Sequence, residues 1–234
     1  MPQQTVTHAP DLPTVLAGAA PSAAVFDAGA TPEEELERQL RALVELGVPA
    51  LLGTEEAGLR ALVEPLRDLL PAAGAPTDVP GEDHVPFVLV LALDRPNDAV
   101  PAMRLGRRSG VSVIDDAELA TFRPVVPVPP GRAYLLRDVD TGSRYLSVTP
   151  EDALRDIQRQ GRRPLTVAEG LALVALRPDM LRPGRCFSLA GSRTGTNQRV
   201  PAIWISERRP KLGWCWDRNP HTWLGTASAG DAVA

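Results

Sequence analysis

Lysine is nearly missing from this sequence: Lys211 stands alone among the basic residues, against 24 arginines. With abundant Ala and Pro, that skew reads as the codon bias of a high-GC genome and not as recognition chemistry. Cysteine is scarce too. Cys186 and Cys215 are the only two, which argues against a disulfide scaffold. Long apolar runs are lacking, since the longest, Val85 to Leu93, falls well short of the roughly 20 residues a membrane span needs. The N-terminus shows neither the charged segment nor the long apolar segment of a secretory leader, so a cytoplasmic location and no membrane partner are expected. Several catalytic signatures are absent. There is no G-x-G-x-x-G, and Ser192 directly follows Gly191 so no G-x-S-x-G elbow forms. The turn Gly191 to Asn197 has the composition of an anion nest but lacks the Gly-Lys-Ser/Thr ending of a phosphate loop. No C-x-x-C or H-x-x-x-H pair occurs, so no metal site is expected and no cofactor is indicated.

What is present suffices for one core, alone or with a small appendage: 234 residues, 44% hydrophobic and 23% charged. The net charge of −4 conceals an asymmetry. Residues 1–148 carry 12 basic residues against 21 acids, whereas 149–234 carry 13 against 8. The basic part is also the tryptophan-bearing part, which fits an acidic ligand there or attraction between the two halves of one fold.

In chain order, residues 1–30 read as a poorly ordered arm, tied down near Val25 and Phe26. Thr31 and Glu34 then form a capping-box start, and Leu36, Leu40, Leu43 and Val44 recur at helical spacing until Gly47. A second helical pattern runs from Leu59 to Leu70 with Pro65 breaking its middle. Residues 31–72 are thus expected to be a helical pair, whose leucine stripes serve either the core or, as an alternative, a protein partner. Pro71 to Pro86 reads as a linker, with His84 a solvated loop residue. An α+β domain over 86–228 follows, which could form one domain with 31–72. In it Phe87 to Leu93 and Tyr134 to Val139 read as strands, the latter with Arg144 to Val148 as hairpin partner. Thr149 and Thr166 cap two further helices.

All four tryptophans and both cysteines fall between Arg185 and Ala227. The segments Cys186–Ala190, Val200–Ser206, Leu212–Asp217 and Thr222–Ala227 read as a Trp-rich antiparallel meander. Strand alternation puts Trp214 and Trp216 opposite Cys215 and Asp217. Cys215, His221 and Asp217 supply the residue types of a thiol nucleophile, its base and an orienting acid. Cys215 lies on the side expected to be core, so an inert thiol is preferred. The site favoured instead binds a small molecule or peptide through Arg193, Arg209, Trp214, Trp216, Asp217, Asn219 and His221. Nucleic acid is disfavoured as partner because the chain is acidic and completes no module pattern. Nothing in the sequence sets an oligomeric state.

The runs Arg137-Asp-Val-Asp-Thr-Gly142, Cys186-Phe-Ser-Leu189, Val200-Pro-Ala-Ile-Trp-Ile-Ser206 and Pro210-Lys-Leu-Gly-Trp-Cys-Trp216, together with Asn219-Pro-His-Thr-Trp-Leu-Gly225, resemble a family of uncharacterised actinobacterial proteins, a domain of unknown function. The resemblance covers at least the last hundred residues and extends towards Phe26. It implies a shared fold and a bacterial cytosolic setting, and it brings no catalytic residues.

Overall fold

The computed structural model describes residues 25–72 and 83–234. The first 24 residues of the expected arm and residues 73–82 of the expected Pro71–Pro86 linker lie outside the described residues; His84 to Pro86, expected in that linker, already belong to a strand. Helix α1 (Pro32–Glu45) begins where side chains replace missing backbone partners. Thr31 Oγ1 accepts from the Glu34 amide at 3.2 Å, and Glu34 Oε2 accepts from the Thr31 amide at 2.8 Å. It gives way after Leu46 to Gly47, whose φ of 74° lies in the left-handed region. Helices α2 (Val48–Leu51) and α3 (Glu56–Val63) follow. Pro65 cannot continue the α-helical bonding, and the chain goes on as a 3-10 turn over Glu64–Leu69.

The middle of the chain alternates short elements: β1 (His84–Leu91), α4 (Pro96–Ala99), β2 (Arg104–Leu105), β3 (Arg108–Ser109), β4 (Val111–Ser112), α5 (Asp116–Leu119), β5 (Arg123–Pro124) and β6 (Ala133–Asp140). Then come α6 (Pro150–Arg159), β7 (Arg163–Pro164), α7 (Val167–Leu176), β8 (Cys186–Ser188), β9 (Ser192–Arg193), β10 (Arg199–Ser206), β11 (Arg209–Trp216), β12 (Leu224–Thr226) and β13 (Ser228–Val233). These helices and mostly antiparallel strands make an α+β fold with a strand-rich C-terminal region.

Two larger sheets take most of the strands, and β2 with β3 and β5 with β9 form two-stranded pairs. The first has the order β1-β6-β13-β7 and is antiparallel throughout; the second has the order β12-β8-β10-β11-β4. In the second sheet β8, β10 and β11 are antiparallel neighbours, as a meander requires, while β12 returns beside β8 and β4 joins β11, both parallel. Only Ala227 separates β12 from β13, so the chain steps from one sheet into the other within one residue.

Beyond β6 the chain departs from the expected hairpin. Arg144 to Val148 form no strand; Ser143–Tyr145 is a 3-10 turn, and the neighbours of β6 are β1 and β13. The cause is local. Gly142 has a φ of 79°, and a Cβ there would stand 1.9 Å from the Thr226 carbonyl oxygen. Only a glycine lets the chain turn away from the sheet so close to β12. His84 is likewise no solvated loop residue: it opens β1, with Nε2 at 2.9 Å from Asp138 Oδ1.

The N-terminal helices share the core of the sheets. Leu36, Leu40, Leu59, Phe87, Leu136 and Ile203 all belong to one contiguous apolar cluster. Leu36 and Leu40 are 0% and 1% exposed, which overturns the alternative of a partner-docking stripe on α1: the fold itself covers those leucines. Polar groups tie α1 to the sheet as well. Among the described residues the outer edge of β1 has no neighbouring strand, and Gln39, fully buried on α1, takes that place. Its Oε1 accepts from the Leu89 amide at 2.7 Å, and its Nε2 donates to the Phe87 carbonyl at 3.1 Å. Nε2 also donates to Glu35 Oε1 at 2.8 Å; Arg38 holds Glu35 at 2.7 Å and donates to the Leu176 carbonyl of α7 at 3.0 Å.

Candidate functional site

The site grows out of the β10–β11 hairpin. Its turn is Glu207–Arg208, both with positive φ (55° and 59°), the twist that suits a two-residue hairpin. That turn fixes the register, which sets Arg199 across from Trp216 and Pro201 across from Trp214. Alternation then places Arg199, Trp214 and Trp216 on one face, and Trp204, Gly213 and Cys215 on the other. On that second face the Trp204 ring lies over Gly213, where a Cβ would meet it at 2.2 Å.

On the first face Trp214 and Trp216 meet edge to face, with ring centroids 5.1 Å apart and planes at 70°. The Arg199 guanidinium lies 4.1 Å from the Trp214 centroid and 5.9 Å from that of Trp216. Its Nη1 donates to Glu118 Oε1 of α5 at 2.5 Å. A cation held over an aromatic face and tied to a carboxylate is fixed in position. Trp214 is half-buried and Trp216 is 48% exposed. The result is an aromatic ledge with one open ring.

Below the ledge Asp217 is buried and ion-paired to Arg193 of β9. Its amide donates to the Gln198 carbonyl at 2.8 Å, and its own carbonyl accepts from the Glu151 amide at 3.0 Å, which anchors the start of α6. Asp217 Oδ1 has no partner among the described residues. Cys215 is buried, and burial pushes its thiol up to about 12, so no thiolate forms near neutrality. Cys186 is raised by burial as well.

Of the seven residues expected to bind ligand, Arg193, Trp214, Trp216 and Asp217 come together at this end of the hairpin. Arg209 sits at the other end, paired with Ser206 beside the turn. Asn219 is exposed just past the ledge, its amide donating to the Trp216 carbonyl at 3.2 Å. His221 belongs to a separate small grouping. Its ring centroid lies 5.1 Å from that of Trp223, its carbonyl accepts from the Ser147 amide at 2.8 Å, and desolvation lowers its pKa. No hydrogen bond joins His221 to Cys215 or Asp217 among the described residues.

Glu118 was not legible as part of the site, because only the fold brings α5 to β10. Arg199 was legible as a basic residue among aromatics, but its stacking follows from the hairpin register alone. Among the described residues no three or more His, Cys, Asp or Glu side chains converge as metal ligands, and no helix is long and apolar enough to cross a membrane.

Comparison with known proteins gives one match. The family model described as a family of unknown function (DUF5701) matches residues 42–234. No curated protein and no solved structure matches the chain.

Proposed function

Because the chain belongs to that family of unknown function, its site is read on its own geometry, and we propose that it is a ligand-binding protein whose ligand lies against the Arg199–Trp214–Trp216 ledge. The observation that carries this reading is the open Trp216 ring, 48% exposed while Trp214 and Arg199 fix its plane. A preset aromatic surface costs little entropy to engage. The ledge is also electrically satisfied, with Arg199 paired to Glu118 and Arg193 to Asp217. It therefore favours a flat apolar group, such as an aromatic or prolyl side chain of a peptide or the ring of a small molecule, over a polyanion. The thiol-enzyme alternative ranks below it, since burial holds the Cys215 thiol protonated and His221 is not its hydrogen-bond partner.

A peptide array and a fragment library containing aromatic rings, read by tryptophan fluorescence, test the proposal. The expected outcome is a ligand whose affinity falls by about tenfold or more in Trp216→Ala, since stacking on an aromatic side chain contributes about 1–3 kcal/mol, with the melting temperature little changed. Ligands that bind Trp216→Ala as tightly as the wild type would place binding elsewhere and refute the ledge.

A further inference from the structure

A cleft of about 360 Å³ opens between the segment leaving β1, the α5–β5 segment and the first turn of α7. That volume suits a small molecule. Four charged side chains line it: Asp94, Arg95, Asp116 and Arg123. Arg95 donates to Asp116 at 2.5 Å, so those two cancel. Asp94 and Arg123 remain, and neither has an ion pair or side-chain hydrogen bond among the described residues. The lining is thus neutral overall, yet it presents one uncompensated charge of each sign, carried by different segments.

The floor shows where an anion fits. Tyr134, buried, donates to Glu169 Oε1 at 3.2 Å, and Glu169 is itself held by Arg163 at 2.6 Å. Desolvation raises the Tyr134 pKa, so the phenol stays neutral and its proton is taken. Ser192 differs. It is 2% exposed, its Oγ accepts from the Val167 amide at 3.0 Å, and its hydroxyl proton has no acceptor among the described residues. Ser192 lies on β9 opposite Pro124, next to Arg123 on β5. A buried hydroxyl with a proton to give and a guanidinium without an ion pair therefore both border the cleft. The first-turn amides of Val167 and Glu169 are already bound, to Ser192 and Thr166. Phe122 and Val128 give the cleft an apolar portion.

We propose that this cleft binds a small zwitterion, a free α-amino acid or dipeptide, with its carboxylate on Arg123 and the Ser192 hydroxyl, its ammonium towards Asp94 and its side chain along Phe122 and Val128. A dianion is disfavoured because only one cation lacks a partner. This site is separate from the ledge and does not depend on it.

The test is calorimetric titration of the full chain with the standard amino acids, a set of dipeptides, and their N-acetyl and C-amide derivatives. The expected result is that at least one zwitterion binds, that blocking either end weakens it by about tenfold, and that Arg123→Gln and Asp94→Asn each do the same, because a charge-assisted hydrogen bond is worth roughly one to two decades of affinity. Both positions are exposed, so the variants keep the wild-type melting temperature. Trp216→Ala should leave this binding unchanged. The proposal is overturned if no member of the panel binds at about 10 mM, a limit of about 3 kcal/mol, if the blocked derivatives or the two variants bind as well as their parents, or if Trp216→Ala abolishes binding and so moves it to the ledge.

Discussion

Replacing Gln39 by Leu tests how α1 is joined to the sheet. The two side chains are similar in size, so packing changes little, and the loss is confined to polar partners. In the variant the Leu89 amide and the Phe87 carbonyl, now bonded to Gln39 at 2.7 and 3.1 Å, lose their partner at a buried strand edge. Each unsatisfied buried group costs about 1–3 kcal/mol, so the variant should be less stable by roughly 2–6 kcal/mol, a large part of the roughly 5–15 kcal/mol typical of a folded domain. Urea unfolding would show this as a midpoint lower by about 1–3 M at a slope of about 2 kcal/mol/M. Hydrogen exchange gives the site-specific readout: the Leu89 amide should lose protection while Leu135 in β6 changes only with global stability. Gln39→Glu sharpens the test. It would bring a second carboxylate next to Glu35, now 2.8 Å from the Gln39 amide nitrogen, and should recover part of its stability on acidification. A Gln39→Leu protein within about 0.5 kcal/mol of wild type, a shift typical of surface substitutions, would mean that water satisfies this edge and that Gln39 does not hold it.

Further outcomes follow from other positions. Gly142→Ala places a Cβ 1.9 Å from the Thr226 carbonyl oxygen at a φ of 79° and should cost more than about 3 kcal/mol or prevent folding; Gly161→Ala, with φ 70° and open space, should cost only about 1 kcal/mol, and equal melting temperatures for the two would refute the close-approach argument. Cys215, with its thiol held up to about 12, should resist iodoacetamide at pH 8 in the native protein and react fully in denaturant; mass spectrometry after digestion reads this directly. His221 has its pKa lowered by desolvation, so the unfolded chain takes up the proton first; stability present above the unfolded value near 6.5 should fall as pH drops below it, and His221→Gln should flatten that part of the profile in thermal melts between pH 7 and 5. Glu118→Gln removes the charge holding Arg199 at 2.5 Å and should alter the tryptophan emission; an unchanged spectrum would show the stack to be independent of α5.

The parts of the fold legible in the sequence are those governed by neighbours in the chain. Thr31 with Glu34 and Thr166 with Glu169 announce two helix starts because each cap closes within a few residues, and Pro65 marks the end of α-helical bonding for the same reason. The alternation that sets Cys215 against Trp214 and Trp216 is likewise local. The rest depends on pairings between distant segments. Nothing near Arg144 says that β6 will be flanked by β1 and β13 instead of its own hairpin, since that outcome depends on Gly142 meeting Thr226. Arg123 and Ser192 reach one cleft only because β5 pairs with β9, two-residue strands too short to leave a periodic pattern. At the ledge the aromatic half was readable, and the Glu118 half was not.

The step from β12 to β13 across Ala227 bears on how the protein is made. β13 lies inside the first sheet, between β6 and β7, yet follows every other strand of that sheet in the chain. While the ribosome is still translating, β1 and β6 can pair, but the inner edge of β6 must wait for residues 228–233. During that interval an apolar strand edge faces solvent or a chaperone. Synthesis that stalls or stops before Ser228 therefore leaves not a shortened domain but an open sheet, the form most prone to join its own kind.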